Sequence, residues 1–256
     1  MADSRLSALP TPCLLVDEAK MKRNINRLSD KASELGVSLR PHLKTTKSVG
    51  AARYVLANGD GPATVSTLAE AEAFARAGIR DILYAVGITA AKLGRVVDLH
   101  RAGCNVTVLL DNAVQAQAVA TASRETGIAI PTLIEIDSDG HRSGLTSTDP
   151  VLIEVGRILA SGGAQLRGVL CHAGGSYGMS GQEAHAKCAE QERLAVVGAA
   201  TALRAAGLPC PVVSVGSTPT AHAARDLTGV TELRAGVYVF FDLVMAGIDV
   251  CRVDDI

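Results

Sequence analysis

The chain has 256 residues, 48% of them hydrophobic, and a formal net charge of −1. This length is typical of a single (β/α)8 barrel and is ample for a buried core. The near-zero net charge excludes a chain-wide field that would recruit nucleic acid or an anionic membrane, so we expect a small-molecule substrate.

Short β-branched runs alternate with segments of helical period along the chain, and eight such units can be counted. In chain order, the predicted strands are Val37 to Lys44, Ala63 to Ser66, Asp81 to Ala85, Asn105 to Asp111, Thr132 to Asp137, Leu166 to His172, Pro211 to Gly216 and Glu232 to Gly236. Helices fill the gaps, among them Thr67 to Ala77, Ala113 to Glu125, Pro150 to Ala160 and Gly181 to Ala206. Eight units predict a closed parallel barrel of the TIM type. The alternative is an open doubly wound sheet, which lacks the support of a GxGxxG turn after the first strand.

Two end pieces lie outside these units. Thr11 to Asp17 has the pattern of a strand, and residues 237–256 continue in extended, alternating character. We therefore predict an N-terminal strand within residues 1–20, a barrel in residues 21–240, and in residues 241–256 the start of a C-terminal β domain that is truncated or absent.

The first predicted strand carries the strongest chemical signal. Its alternation places Arg40, His42 and Lys44 on one face and apolar residues on the other. Because the apolar face should meet the helices, the three basic groups turn toward the barrel interior. Positive neighbours and partial desolvation disfavour the ammonium form, as a Schiff-base lysine requires. The alternative is a solvated basic loop, and Pro41 argues for a bulge.

A turn after the seventh strand has the features of a phosphate site. Thr218 can cap a helix with Pro219 in its first position, and Gly216 and Ser217 leave open backbone N–H groups beside hydroxyls. The turns after strands seven and eight are the usual phosphate site of such barrels. A plain helix cap is the alternative interpretation.

Other polar residues follow the remaining strands at the same end. Arg142 lies in a glycine-flanked loop after strand five, His172 and Tyr177 follow strand six, and Arg234 and Tyr238 surround strand eight. Each has an ordinary alternative: a surface ion pair for the arginines, a structural histidine, or core packing. No cluster has zinc-ligand spacing.

The compartment is predicted from what the sequence lacks. The six cysteines are scattered without CxxC spacing, no signal-peptide run follows Met1, and no stretch approaches the roughly 18 apolar residues that span a bilayer. We expect a cytoplasmic protein.

Several motifs together resemble one family. They are RPHLKTTK at 40–47, GHRSG at 140–144, HAGGSYG at 172–178, VGSTPT at 215–220 and TELRAGVYVFFD at 231–242. The chain resembles the D-serine dehydratase and D-threonine aldolase family, fold type III enzymes that use pyridoxal 5'-phosphate (PLP) and are related to the N-terminal domain of alanine racemase. The resemblance implies a barrel of that type, with the dehydratase branch favoured.

The resemblance also implies roles for residues. Lys44 would bind PLP covalently and act with Tyr177 in catalysis, and a ring of further side chains would hold the cofactor: His42, Arg142 at the phenolic oxygen, His172, Gly216, Ser217 and Thr218 at the phosphate, Arg234 at the ring nitrogen, and Tyr238. Family members carry a C-terminal domain whose histidine and cysteine or aspartate bind a divalent metal, zinc or manganese, and this chain has no such region. Related enzymes are usually homodimers.

The expected activity is that of a PLP-dependent lyase on β-hydroxy D-amino acids. D-serine dehydratase chemistry gives pyruvate and ammonia, whereas D-threonine or 3-hydroxy-D-aspartate aldolase chemistry gives glycine and an aldehyde. An amino-acid racemase, a PLP carrier without turnover and a lysine aldolase on a sugar phosphate are the alternatives.

Overall fold

Eight parallel strands form a nearly closed barrel in this computed structural model, which describes residues 6–256. They are β1 (Ser38–Pro41), β2 (Ala63–Val65), β3 (Asp81–Gly87), β4 (Asn105–Leu110), β5 (Pro131–Ile136), β6 (Gln165–Cys171), β7 (Val212–Val215) and β8 (Glu232–Ala235). The strands pair in the order β1-β8-β7-β6-β5-β4-β3-β2. β1 and β2 meet at an isolated bridge between His42 and Thr64. The predicted barrel is confirmed, and the open doubly wound alternative is wrong.

Helices cover the outer face of the barrel. They are α1 (Glu18–Glu34), α2 (Val49–Val55), α3 (Leu68–Arg76), α4 (Leu93–Arg101), α5 (Ala113–Thr126), α6 (Val151–Ser161), α7 (Gln182–Ala205), α8 (Thr218–Ala223) and α9 (Leu243–Gly247). Local signals fix several ends. Thr67 and Glu70 form a capping box at the start of α3, and Gly127 ends α5 in the left-handed conformation. Within residues 6–256, no helix combines the length and apolarity that crossing a membrane requires.

The barrel interior is layered along its axis. On the side of the strand starts, Arg40 contacts Glu232 (Nε to Oε2, 2.6 Å) and Asp81 (Nη1 to Oδ1, 2.9 Å). Above this ion-paired end lies a layer of four leucines, each at most 3% exposed: Leu83, Leu109, Leu133 and Leu170. This leucine layer spans the β3–β6 side of the interior, while on the β7–β8 side Ser214 links Glu232 to Arg234 by hydrogen bonds.

Replacing Leu109 with alanine should lower the free energy of unfolding by about 2–5 kcal/mol, because the tightly packed interior cannot close over the missing side chain. Urea unfolding measures the change. The control is Leu194→Ala on α7, where the side chain is 57% exposed and the loss should stay below about 1 kcal/mol. Equal losses in the two variants would contradict the packing of the leucine layer.

The ends of the chain differ from the prediction. Thr11 to Asp17 is not a strand, since no neighbouring strand pairs with it in the described part and Leu14 is 99% exposed. The carboxylate of Asp17 instead caps α1 by accepting from the backbone N–H of Lys20 (3.0 Å). Residues 1–5 of the predicted N-terminal part lie outside the described residues.

Residues 237–256 are not extended either. They form two 3-10 turns and α9, and Asp242 caps α9 by accepting from the backbone N–H of Met245 (2.8 Å). The first strand also ends earlier than predicted, at Pro41, because the chain turns there and the Leu43 carbonyl accepts from the N–H of Lys47 (3.0 Å). The division into domains at residues 20 and 240 stays a prediction.

Candidate active site

A cavity of about 290 Å³ opens at the carboxyl ends of the strands. This is the end where catalytic groups of such barrels lie. A larger depression of about 900 Å³ lies on the outer surface between α4 and α5, but mostly apolar and small side chains line it. The interior cavity is the candidate site because it concentrates titratable and hydroxyl groups: His42, Lys44, Ser66, Glu135, Arg142, Ser143, His172, Tyr177, Ser217, Thr218 and Arg234.

Lys44 stands at the rim of the cavity, in the turn after β1. Its side chain is exposed overall, and its ammonium group has no ion pair or hydrogen bond within residues 6–256. Desolvation against the cavity wall lowers the pKa of Lys44, and the positive charges of Arg142 and Arg234 lower it further, while Glu70 opposes them. An accessible lysine whose neutral form is favoured can condense with an aldehyde.

The cations that act on Lys44 are not those predicted. Arg40 shares its interior face but lies beyond the leucine layer, in the ion pairs described above. His42 is near, yet burial lowers its pKa to about 2, so its ring is neutral at pH 7. The charge on Lys44 is instead disfavoured by Arg142, after β5, and Arg234, on β8. Alternation along the strand predicted an inward face for Arg40, but it did not predict how far Arg40 lies from Lys44 along the barrel axis.

Both histidines of the cavity are neutral, and their hydrogen bonds define their tautomers. His42 accepts the backbone N–H of Lys44 at Nδ1 (3.4 Å), so its Nε2 carries the proton and faces the Ser66 hydroxyl at 3.3 Å. His172 donates from Nδ1 to the carbonyl of Gly216 at 2.6 Å, which leaves Nε2 as an acceptor. Burial lowers the pKa of His172 to about 4. Neither ring therefore adds positive charge to the cavity at pH 7.

The turn after β7 uses its backbone donors differently from the prediction. The N–H of Gly216 donates to Glu192 (3.0 Å) and that of Ser217 to the Thr220 hydroxyl (3.1 Å), so neither is open. The cap of α8 is Ser217, whose hydroxyl accepts from the N–H of Thr220, and Thr218 is the first helical residue. The buried hydroxyl of Thr218 lines the cavity without a hydrogen-bond partner among the described residues. It is an open donor of this turn, and it lies beside the Tyr177 hydroxyl, on which the Thr218 hydroxyl and backbone N–H both act.

Two further open donors lie after β8, where the sequence analysis named no phosphate ligand. Gly236 and Val237 line the cavity, and their backbone N–H groups have no hydrogen-bond partner in the described part of the chain. A Cβ at position 236 would lie 2.9 Å from the carbonyl oxygen of His42, so the close approach favours glycine. With Thr218, these donors form a group suited to a phosphate between the ends of β7 and β8. Their position directly after the eighth strand is the signal that could have located them.

Arg234 is held inside the barrel. It is 4% exposed, and its guanidinium donates to the Ser214 hydroxyl (2.8 Å) and to the Cys171 carbonyl (2.6 Å). Burial lowers its pKa, although nearby carboxylates oppose that effect. Its fixed position lets it present a positive charge at the cavity wall without a direct ion pair.

The remaining predicted residues divide into two groups. Tyr177 and Arg142 line the cavity. The centroid of the Tyr177 ring lies 6.0 Å from that of the His172 ring. The Arg142 side chain packs against Gly174, where an added Cβ would lie 2.6 Å from Nε of Arg142. Burial raises the pKa of Tyr177, so its hydroxyl stays protonated at neutral pH. Tyr238 does not line the cavity. It is fully buried in the core, and its hydroxyl has no partner among residues 6–256, so its predicted cofactor contact finds no support in its position.

Glu135 is a cavity residue that the sequence analysis missed. It lies on β5 two residues after Leu133 of the leucine layer, and no cation is within ion-pair distance of it in the described residues. Desolvation and the nearby charge of Asp111 raise its pKa to about 7, with Arg234 opposing. A carboxyl group that titrates near neutral pH in a cavity is suited to proton transfer.

The raised pKa of Glu135 should make stability depend on pH. Between the ordinary glutamate value and about 7, the unfolded chain has lost a proton that the folded chain keeps, so stability falls as pH rises. Glu135→Gln should remove this fall, and its thermal midpoint should exceed that of the unmodified chain at pH 8 but not at pH 4.5. Glu190→Gln, at a partly buried ion pair with Arg193, is the control and should show no gain at pH 8. An equal difference at both pH values would show that Glu135 does not titrate in this range.

The fold and the site together define a class of protein. It is a (β/α)8 barrel whose cavity is lined by a lysine without an ion pair and by hydrogen-bond donors that are open to a phosphate. The chain belongs to the family described as alanine racemase, N-terminal domain, whose model matches residues 16–244. The resemblance to D-serine dehydratases and D-threonine aldolases is confirmed.

Individual relatives agree with this membership. The chain is 53% identical to D-threo-3-hydroxyaspartate dehydratase of Delftia sp. strain HT23, over 100% of this chain and 67% of the relative. It is 30% identical to D-serine dehydratase of Schizosaccharomyces pombe, over 93% and 62% of the two chains. The solved structure of the Delftia enzyme superposes on this chain with a TM-score of 0.96, over 98% of this chain and 66% of the enzyme. The structure of D-threonine aldolase from Filomicrobium marinum is 26% identical and superposes with a TM-score of 0.85, over 94% of this chain and 65% of the aldolase. The chain spans about two thirds of the length of these relatives.

Proposed function

We propose that this chain forms the PLP-binding barrel of a lyase that acts on β-hydroxy D-amino acids, with dehydration of 3-hydroxy-D-aspartate as the leading reaction. The observation that carries the proposal is the unpaired Lys44 amine at the same cavity as the open donors of Thr218, Gly236 and Val237. PLP is an aldehyde that bears a phosphate, so its binding needs an amine for the aldehyde and hydrogen-bond donors for the phosphate. The 53% identity to a D-threo-3-hydroxyaspartate dehydratase supports this substrate among the β-hydroxy D-amino acids.

The residues present fit PLP. The phosphate would be held by the Thr218 hydroxyl and the backbone N–H groups of Gly236 and Val237, which otherwise have no partner in the described part. Arg234 would lie at the ring nitrogen and Arg142 at the phenolic oxygen. When bound, PLP withdraws electrons from the bond that breaks at Cα of an amino acid.

The chain's own groups then account for proton movements. The Lys44 amine, favoured in its neutral form, takes the proton from Cα of the substrate. Glu135, whose pKa is about 7, and Tyr177, which keeps its proton at neutral pH, are the nearby acids that supply one to the departing β-hydroxyl. Loss of water from 3-hydroxyaspartate, followed by hydrolysis, gives oxaloacetate and ammonia.

The described residues offer no set of ligands for a metal ion. Among residues 6–256, no group of three or more His, Cys, Asp and Glu side chains is arranged to hold a metal ion. We therefore derive no step through a metal. The homodimer and the cytoplasmic location stay predictions.

The test combines cofactor loading with a substrate panel. The chain should develop a visible absorbance band on addition of PLP, and borohydride reduction should add the cofactor mass to the peptide that contains Lys44. D-threo-3-hydroxyaspartate, D-serine, D-threonine and D-alanine are then supplied separately, with and without zinc or manganese, and oxaloacetate, pyruvate, glycine and racemised product are measured. Oxaloacetate supports the proposal. PLP binding without any product would support the carrier alternative, and reaction of a sugar phosphate without PLP would support the lysine aldolase.

A further inference from the structure

Glu192 lies on α7 outside the cavity, and its carboxylate is 1% exposed. We infer that Glu192 positions the two turns that bind the cofactor phosphate and His172. The inference rests on the proposed function, because it concerns how the barrel holds PLP.

The carboxylate joins three segments of the chain. Its Oε1 accepts the backbone N–H groups of Ala173, after β6, and of Gly216, after β7, each at 3.0 Å. Its Oε2 accepts the hydroxyl of Thr220, within α8, at 2.9 Å. A buried carboxylate requires such donors, since an unpaired one would be strongly destabilising. Glu192 thus fixes the spacing of the ends of β6 and β7 from a helix that forms no part of the cavity wall.

Both of its backbone donors are adjacent to cavity residues. Ala173 follows His172, and Gly216 precedes Ser217 and lies two residues before Thr218. The carbonyl of Gly216 also accepts from Nδ1 of His172 at 2.6 Å, so the same peptide segment that Glu192 holds also orients that ring. A shift of Gly216 would therefore move the Thr218 donor and His172 together.

A chain of hydroxyl groups extends the effect of Glu192. Because Thr220 donates to the carboxylate, its oxygen is free to accept the N–H of Ser217 (3.1 Å). The Ser217 hydroxyl contacts that of Ser176 (2.8 Å), which donates to the carbonyl of Ala173 (2.7 Å). The network closes on itself, and networks in which every member is satisfied are rigid. The donors left for a phosphate are then those of Thr218, Gly236 and Val237.

No cation lies within ion-pair distance of Glu192 among the described residues, so hydrogen bonds alone hold it. All three of its partners donate. Leucine has a similar volume but no acceptor, so Glu192→Leu removes the partner of two backbone N–H groups and of the Thr220 hydroxyl at once. This makes the substitution a sharp test of positioning.

The test compares the affinities of Glu192→Leu for PLP and for pyridoxal, which lacks the phosphate. Both dissociation constants are measured from the absorbance band on addition of each aldehyde. We expect PLP affinity to fall by about 10-fold to 100-fold, and pyridoxal affinity by less than about threefold, because the lost positioning acts mainly on phosphate contacts. Inorganic phosphate should also compete less well with PLP in the variant.

Glu183→Gln, also on α7 but in an exposed pair with Arg225, is the control and should leave both affinities unchanged. Equal losses for PLP and pyridoxal, or no loss of either, would overturn the inference. If Glu192→Leu does not fold, Thr220→Val removes the third donor and should lower PLP affinity selectively by a smaller factor; an unselective change there would equally overturn the inference. Failure of the unmodified chain to bind PLP would instead refute the proposed function, so the two failures are distinguishable.

Discussion

Lys44→Ala should abolish covalent attachment of PLP and lower any lyase rate by about 10³-fold or more, because no other group in the cavity lining can condense with the aldehyde. Borohydride reduction followed by peptide mass analysis measures the attachment, and product formation measures the rate. The variant should still bind PLP without a covalent bond, since the donors at the phosphate remain.

The matched control is Lys47→Asn, three residues along the same turn. Lys47 has a φ of 43°, a conformation that asparagine tolerates, so the change removes an amine without straining the backbone. It should keep the covalent adduct. A reduced adduct of equal yield in Lys44→Ala would show that another lysine carries the cofactor.

Gly216→Ala should strongly destabilise the barrel. At a φ of 144°, a Cβ at position 216 would lie 1.8 Å from the carbonyl oxygen of Arg234, so β7 and β8 must separate. We expect the free energy of unfolding to fall by about 4 kcal/mol or more, together with loss of PLP binding, as judged by urea unfolding and the absorbance band.

Gly94→Ala on α4 provides the comparison, because a Cβ there meets nothing within 4 Å. Alanine also favours a helix over glycine, so this variant should be as stable as the unmodified chain or about 0.5–1 kcal/mol more stable. A Gly216→Ala variant with an unaltered urea midpoint would contradict the close approach of the two strands.

The sequence predicted the barrel well because buried parallel strands are apolar and β-branched on both faces, and their boundaries are local. The four predicted helices, for instance, end within one residue of α3, α5, α6 and α7. Alternation along the first strand indicated an inward face for Arg40 and His42, and Lys44, in the turn that follows, also lines the cavity. The ends of the chain were mistaken because alternation alone does not show whether a partner strand exists.

The rest of the site depends on contacts between distant segments. Glu192 lies beside Glu190 and Arg193, a pattern that resembles a solvated helix surface, and only the packing of α7 behind β6 and β7 buries it. The open N–H groups of Gly236 and Val237 become apparent only when every neighbouring acceptor has been located. The separation of Arg40 from Lys44 likewise depends on position along the barrel axis, which a two-residue period does not encode.

The four packed leucines have a consequence for how small molecules enter and leave the cavity. They pack across the β3–β6 side of the interior, and the cavity above them opens at the rim where Lys44 stands. Under the proposed function, the amino acid and the oxo acid would share this opening. An oxo acid bound in the cavity should therefore exclude the amino acid, and a competition between the two for binding measures this.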